Sequence, residues 1–174
     1  RPKAAILALL QNVVSKHNIS EKVVVQVRTG QSPKWYDGNA RDRFFSVAGT
    51  LDNFVECVKA VTKDPCVLVS DDMPLVSRVF RSRGIEFIDV GEGEAAHSLR
   101  CTLSEENVSK VLLDLMVIGE GRQAILSYWS NYGRMGVLRT KKDFWLVNIE
   151  GEAQSMNMAI KFPPGVKFRR GMLR

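Results

Sequence analysis

"KVVVQVRTGQSPKW", residues 22–35, decides how the chain is read. Four of the five residues in Val23–Val27 are β-branched and apolar, without the polar alternation of a half-solvated strand. Such a run fits a strand covered on both faces. Arg28, Thr29 and Gly30 follow at once, and then a stretch carrying Pro33 and Trp35. A strand that ends in an arginine delivers a fixed positive charge to the rim of a sheet. We expect Arg28 to reach for the phosphates of a nucleotide.

Upstream, residues 3–17 place Ile6, Leu9, Leu10, Val13 and Val14 on one helical stripe, which Asn18 ends. Downstream, residues 29–49 form a polar segment too long for a mere connector. Leu51–Val61 predicts a helix burying Phe54, Val55, Val58 and Val61, and "CVLVS", 66–70, a second buried strand. Asp72 is placed to cap the next helix, with Pro74 in its first turn and Gly84 closing it after Arg83. A third strand is expected at 85–90, a helix from Ser104 to Gly119, and a fourth strand at 123–127. A short helix over "NYGRMGVLR" and a fifth strand at 144–148 complete the series.

Continuous apolar strands alternating with helices imply an α/β fold: a doubly wound, mostly parallel, Rossmann-like sheet over residues 1–150. Residues 151–174 read as a C-terminal extension with a basic tail. Sheets of this kind bind ligands beyond the carboxyl ends of their strands. The residues just after each strand therefore matter most.

After the first strand, the planar guanidinium of Arg28 suits phosphate oxygens, and Gly30 lets the backbone pass close by. A salt bridge at the rim would explain Arg28 equally well. Trp35 and Tyr36 are suited to stack on a base or sugar, or to anchor a loop. After the second strand come Ser70, Asp71 and Asp72; Asp72 suits a helix cap, and Asp71 a hydrogen bond to base or ribose. No third carboxylate accompanies them, so no metal is expected. The third strand leads toward His97 and Ser98, each a weak signal. The fourth runs into "SYWSNYGR", Ser127–Arg134, where a helix start and the Ser130 hydroxyl make either a phosphate cradle or a plain N-cap. Asp114 stands among apolar residues of "VLLDLMVIG" and requires a nearby donor or a ligand.

Composition narrows the classes. Hydrophobic residues at 45% and charged residues at 25% exclude a disordered or fibrous chain. No apolar run approaches the roughly 18–20 residues of a membrane span. The net charge of +6 resides mainly in the last fourteen residues, which hold five Lys or Arg and no acid. The remainder has 20 basic and 19 acidic residues, so nucleic acid is not the expected partner and the tail reads as a solvated terminus. Cys57, Cys66 and Cys101 share no metal or redox spacing and read as small core residues. Asn18 and Asn107 begin N-x-S triplets, acceptors only in a secretory setting. The opening "RPKAAIL" lacks an initiator Met and reads as part of a longer protein.

Three motifs together resemble the C-terminal, nucleotide-binding half of the GDP-fucose-dependent fucosyltransferases, the α1,6- and protein O-fucosyltransferases with a GT-B fold. Their first motif, a strand running into His-x-Arg-x-Gly-Asp, has its counterpart in "QVRTGQ", Gln26–Gln31. Their second, a strand ending in a Ser/Thr-Asp-Asp/Glu cluster, corresponds to "VLVSDD", 67–72. Their third, a helix with an Asp, then a strand, paired small hydroxyl residues and a helix with an Arg, corresponds to Asp114, Ser130 and Arg134. The likeness covers roughly residues 1–140.

The resemblance implies a donor-binding domain that transfers fucose from GDP-fucose to a glycan or protein hydroxyl, without a metal or other cofactor. It makes Arg28 the catalytic contact to the β-phosphate and Asp114 the hydrogen-bond partner of guanine. It gives the phosphates to Ser130 and the Asn131 and Tyr132 amides, and places Asp71 or Asp72 near base and ribose. Gln26 and Gly30 complete the site. A eukaryotic member would work in the Golgi or endoplasmic reticulum lumen. Gln26, Gln31 and Trp129 depart from the pattern, replacing His, Asp and a small residue. A GT-B enzyme also needs an acceptor domain, which 174 residues do not accommodate. Two other readings stand beside it: a non-catalytic nucleotide-binding or scaffold module, and an RNA-binding protein using the basic tail.

Overall fold

The structure, a computed structural model, describes residues 4–29, 47–91, 105–128, 130–140, 142–147 and 153–155. Six strands form one sheet: β1 (Val23–Val27), β2 (Cys66–Ser70), β3 (Phe87–Asp89), β4 (Gln123–Ser127), β5 (Phe144–Val147) and β6 (Ala153–Ser155). Their order is β3-β2-β1-β4-β5-β6. The first five are parallel, and β6 joins β5 antiparallel. The expected doubly wound, Rossmann-like α/β arrangement is present, with its order reversing between β1 and β4.

Every residue of β1 and β2 is buried, because helices cover both faces. Val23, Val25 and Val27 point with Cys66, Leu68, Ile125 and Trp145 toward α2 (Val47–Val61) and α3 (Met73–Ser82), where Phe54 and Phe80 are fully buried. Val24, Val67, Val69 and Leu126 point the other way. There they meet α1 (Ala4–His17), α4 (Glu105–Glu120) and α5 (Asn131–Leu138) through Leu10, Val117 and Val137. A 3-10 turn, Ile19–Glu21, links α1 to β1 after Asn18 takes a left-handed conformation at φ 50°.

Most expected elements lie where their patterns put them, and the differences have local causes. Asp72 caps α3 by accepting from the Leu75 N–H at 3.1 Å, and Gly84 makes the left-handed exit at φ 73°. Helix α2 begins at Val47, four residues ahead of the expected Leu51, and Val61 is only partly buried. Leu9 lies on the water side of α1 at 42% exposure, so the inner stripe is Ile6, Leu10 and Val13. Strand β3 spans three residues instead of six, since an edge strand bonds on one side only, though Ile85 before it is still buried. The sheet continues into Ala153–Ser155, within the segment expected as an extension.

Cys57 and Cys66 are free and buried, and burial pushes both thiols up to about 12, so neither is a thiolate at neutral pH. Cys101 lies outside the described residues. Among the described residues, no helix is long and apolar enough to cross a membrane.

Candidate functional site

The crevice of a doubly wound sheet opens where neighbouring strands send their chains to opposite faces, here between β1 and β4. At that point the chain leaving β1 is held from both sides. On the β4 side, the Arg28 N–H donates to Ser127 Oγ at 2.8 Å, and that hydroxyl lies 3.4 Å from the Gln26 carbonyl. On the β2 side, Asp71 Oδ1 accepts from the Thr29 N–H at 2.7 Å and the Thr29 hydroxyl at 3.0 Å. Its other oxygen faces Arg28 Nε at 3.5 Å. The Arg28 side chain keeps 24% of its surface exposed, and among the described residues its guanidinium makes no hydrogen bond. A partly exposed guanidinium that keeps its N–H donors can grip an oxyanion bidentately.

Helix α5 starts beside this point. Ser130 caps it, accepting from the Gly133 N–H at 3.2 Å, and is itself buried. The sequence left Ser130 as cradle or cap, and the structure shows the cap. Gly133 sits directly over Gln26: a Cβ there would come within 2.6 Å of Gln26 Oε1, so only glycine lets the helix approach β1 this closely. Gln26 is 4% exposed, and its Oε1 has no hydrogen-bond partner among the described residues. Asn131 is exposed at the helix start. Arg134 turns back so that its Nη2 donates to the Tyr128 carbonyl at 2.5 Å, with its guanidinium 5.4 Å from that ring's centre.

Asp114 is 5% exposed, and its partner lies one turn earlier on α4. Lys110 Nζ reaches both carboxylate oxygens, at 2.9 and 3.0 Å. The carboxylate therefore has its nearby donor within the chain. Burial holds its pKa above the ordinary 3.8, Lys110 pulls it back, and the charge of Asp89 raises it again. Tyr132, on α5, donates its hydroxyl to the Val111 carbonyl of α4. Burial raises that phenol's pKa most, with Asp114 adding to the rise; the Leu115 backbone and Arg28 oppose it.

The structure gathers Arg28, Asp71 and Ser127 at one opening. Asp72, one residue from Asp71, is committed to capping α3. Gly30, Gln31, Trp35, Tyr36, His97, Ser98, Trp129 and the basic tail lie outside the described residues. Thr29, Ser127 and Lys110 were not among the residues singled out as site members. Lys110 carried a usable signal, since a lysine four residues before a buried acid on a helix is its natural partner.

No family model and no curated protein sequence matches the chain. Among solved structures, NodZ α-1,6-fucosyltransferase co-crystallized with GDP is similar, with a TM-score of 0.54 at 11% sequence identity. The match covers 89% of this chain and 48% of that one, so the chain spans about half the length of that enzyme. Identity this low speaks to fold: the chain has a Rossmann-like α/β architecture like that of a fucosyltransferase, consistent with one half of a GT-B enzyme.

Proposed function

We propose that the crevice between β1 and β4 binds a GDP-sugar, with GDP-fucose the leading candidate. The chain is then the donor-binding half of a fucosyltransferase-like glycosyltransferase. The acceptor, a glycan or protein hydroxyl, is presented by a further domain or a partner subunit. The observation carrying this reading is Arg28: fixed at its backbone, ion-paired to Asp71, and partly exposed at the crevice of a sheet with no guanidinium hydrogen bond among the described residues. As the sugar's anomeric carbon passes to the acceptor oxygen, the electron pair of the broken bond stays on the β-phosphate. Arg28 stabilises the charge that grows there, a role that needs no metal.

The other members follow from position. The start of α5 offers free N–H groups of Asn131 and Tyr132 to the phosphates beside Ser130. Gln26 supports that floor, and Gly30 lets the chain pass the ligand. Of the two neighbouring carboxylates, Asp72 is the one left for the ribose side. Each Asp114 oxygen retains a lone pair beyond the one facing Lys110, enough to accept from the N–H edge of guanine. Calorimetric titration with GDP tests the reading. Wild type should bind in the micromolar range, and Arg28→Ala and Asp114→Asn should both abolish the heat. Unchanged affinity in Arg28→Ala would move the site elsewhere.

A second reading, a non-catalytic scaffold that keeps the fold, draws on the Lys110–Asp114 pair, which already satisfies the acid assigned to the base. It expects no heat with any guanine nucleotide and a defined protein partner in pull-down.

A further inference from the structure

We infer that Asp71 is a positioning residue acting through Arg28 rather than a ligand contact. This rests on the reading of the crevice as an anion site and deepens it. Asp71 makes two kinds of contact with the chain leaving β1. One oxygen takes both Thr29 donors, at 2.7 and 3.0 Å, and so fixes the backbone that carries Arg28. The other lies 3.5 Å from Arg28 Nε, an ion pair that draws the guanidinium to one side of its stem. A long arginine side chain otherwise loses rotamer entropy when a ligand immobilises it. Prepaying that order leaves more of the binding free energy for the ligand.

The charge placement agrees. A carboxylate beside a phosphate site repels the ligand unless a cation lies between them. Here the Arg28 guanidinium lies against Asp71, its Nε 3.5 Å from Oδ2, and so offsets that carboxylate's charge at the rim. On the β4 side, Ser127 secures the other end of the same residue. Thr29 is 3% exposed, so this clip is closed to water on its backbone side.

Two measurements on the full chain test the inference. The first needs no ligand: solvent exchange of the Arg28 Nε–H, followed by NMR. It should be slow in wild type and fast in Asp71→Asn, whose amide oxygen can still accept from Thr29 and keep the backbone in place. Equal exchange in the two proteins overturns the clip. Arg28→Lys, which removes the Nε donor, serves as the control if Asp71→Asn does not fold; its Thr29 N–H should stay protected, and loss of that protection would overturn the separation of the two contacts.

The second measurement is titration with inorganic pyrophosphate and with GDP in wild type, Asp71→Asn, Arg28→Ala and the double variant. Acting through Arg28, Asp71→Asn should weaken both ligands by the same factor, roughly tenfold, and add nothing in the Arg28→Ala background. Weakened GDP with unchanged pyrophosphate would make Asp71 a nucleoside contact and end the inference. If wild type binds neither ligand, the proposed function falls, while the Nε exchange still decides the clip.

Discussion

Lys110 and Asp114 are closed off from water, at 8% and 7% side-chain exposure, whereas Arg28 and Asp71 remain at 24% and 17%. The first pair meets at 2.9 Å with both carboxylate oxygens engaged; the second meets at 3.5 Å through one nitrogen. A buried pair must recover a desolvation cost of several kcal/mol per ion, so its geometry has to be complete. A rim pair has water to share its charges and can leave donors unused. The difference separates two tasks that one type of interaction performs: Lys110 sustains a carboxylate taken out of water, and Asp71 sits beside a guanidinium left partly in it.

The largest effect expected from this contrast falls on the buried pair. Lys110→Met leaves the Asp114 carboxylate without its donor and should cost about 3–5 kcal/mol in chemical denaturation. Lys110→Met combined with Asp114→Leu should recover most of that loss, because an apolar pair of similar volume removes both charges. A double variant as unstable as the single would show that the pair's shape, not its charge, holds α4 in place. The pH dependence sharpens the same point. Burial raises the folded-state pKa of Asp114 above 3.8, so the folded chain binds that proton more readily than the unfolded chain. Its contribution is fully present below 3.8 and is lost as pH rises through the folded pKa. Against the non-titrating Asp114→Asn, wild type should gain relative stability on acidification across that window, read from paired urea melts at several pH values.

How legible these two pairs were differs as well. Asp114 stood out because an acid among apolar helix residues violates a simple rule, and its partner was readable from the i, i+4 spacing. Arg28 was legible from the end of an apolar run. Its supports were not, because Asp71 and Ser127 lie 42 and 99 residues from the groups they hold. Those contacts exist only once β1 is known to lie between β2 and β4, which no local pattern states. The same limit applies to the elements. Strands buried on both faces were visible as apolar runs, and Asp72 and Pro74 marked the start of α3. Three-residue β3 and β6 are too short to show a period, and their edges are set by the neighbouring strand.

A smaller effect, of opposite sign, concerns the floor between the two pairs. Gln26 Oε1 is buried beneath Gly133 without a hydrogen-bond partner among the described residues. Such an oxygen costs about 1–3 kcal/mol of desolvation. Gln26→Leu, of similar length, should therefore stabilise the fold by about 1 kcal/mol while weakening GDP binding if the amide serves the ligand. Thermal melts with and without GDP read both at once. A variant that loses stability would mean the amide is satisfied in solution and the floor is purely structural.

The smallest expected change in stability belongs to the residue on which the functional reading depends most. Arg28→Ala removes one partly exposed ion pair and leaves its backbone bond to Ser127 intact. Exposed and half-exposed pairs contribute about 0–1 kcal/mol, so its denaturation midpoint should stay close to that of wild type. A loss near that of Lys110→Met would place Arg28 in the framework of the fold and erase the distinction between the two pairs. A nearly unchanged midpoint together with lost GDP heat would mean that the guanidinium is kept at the rim for a ligand, since the fold itself does not need it.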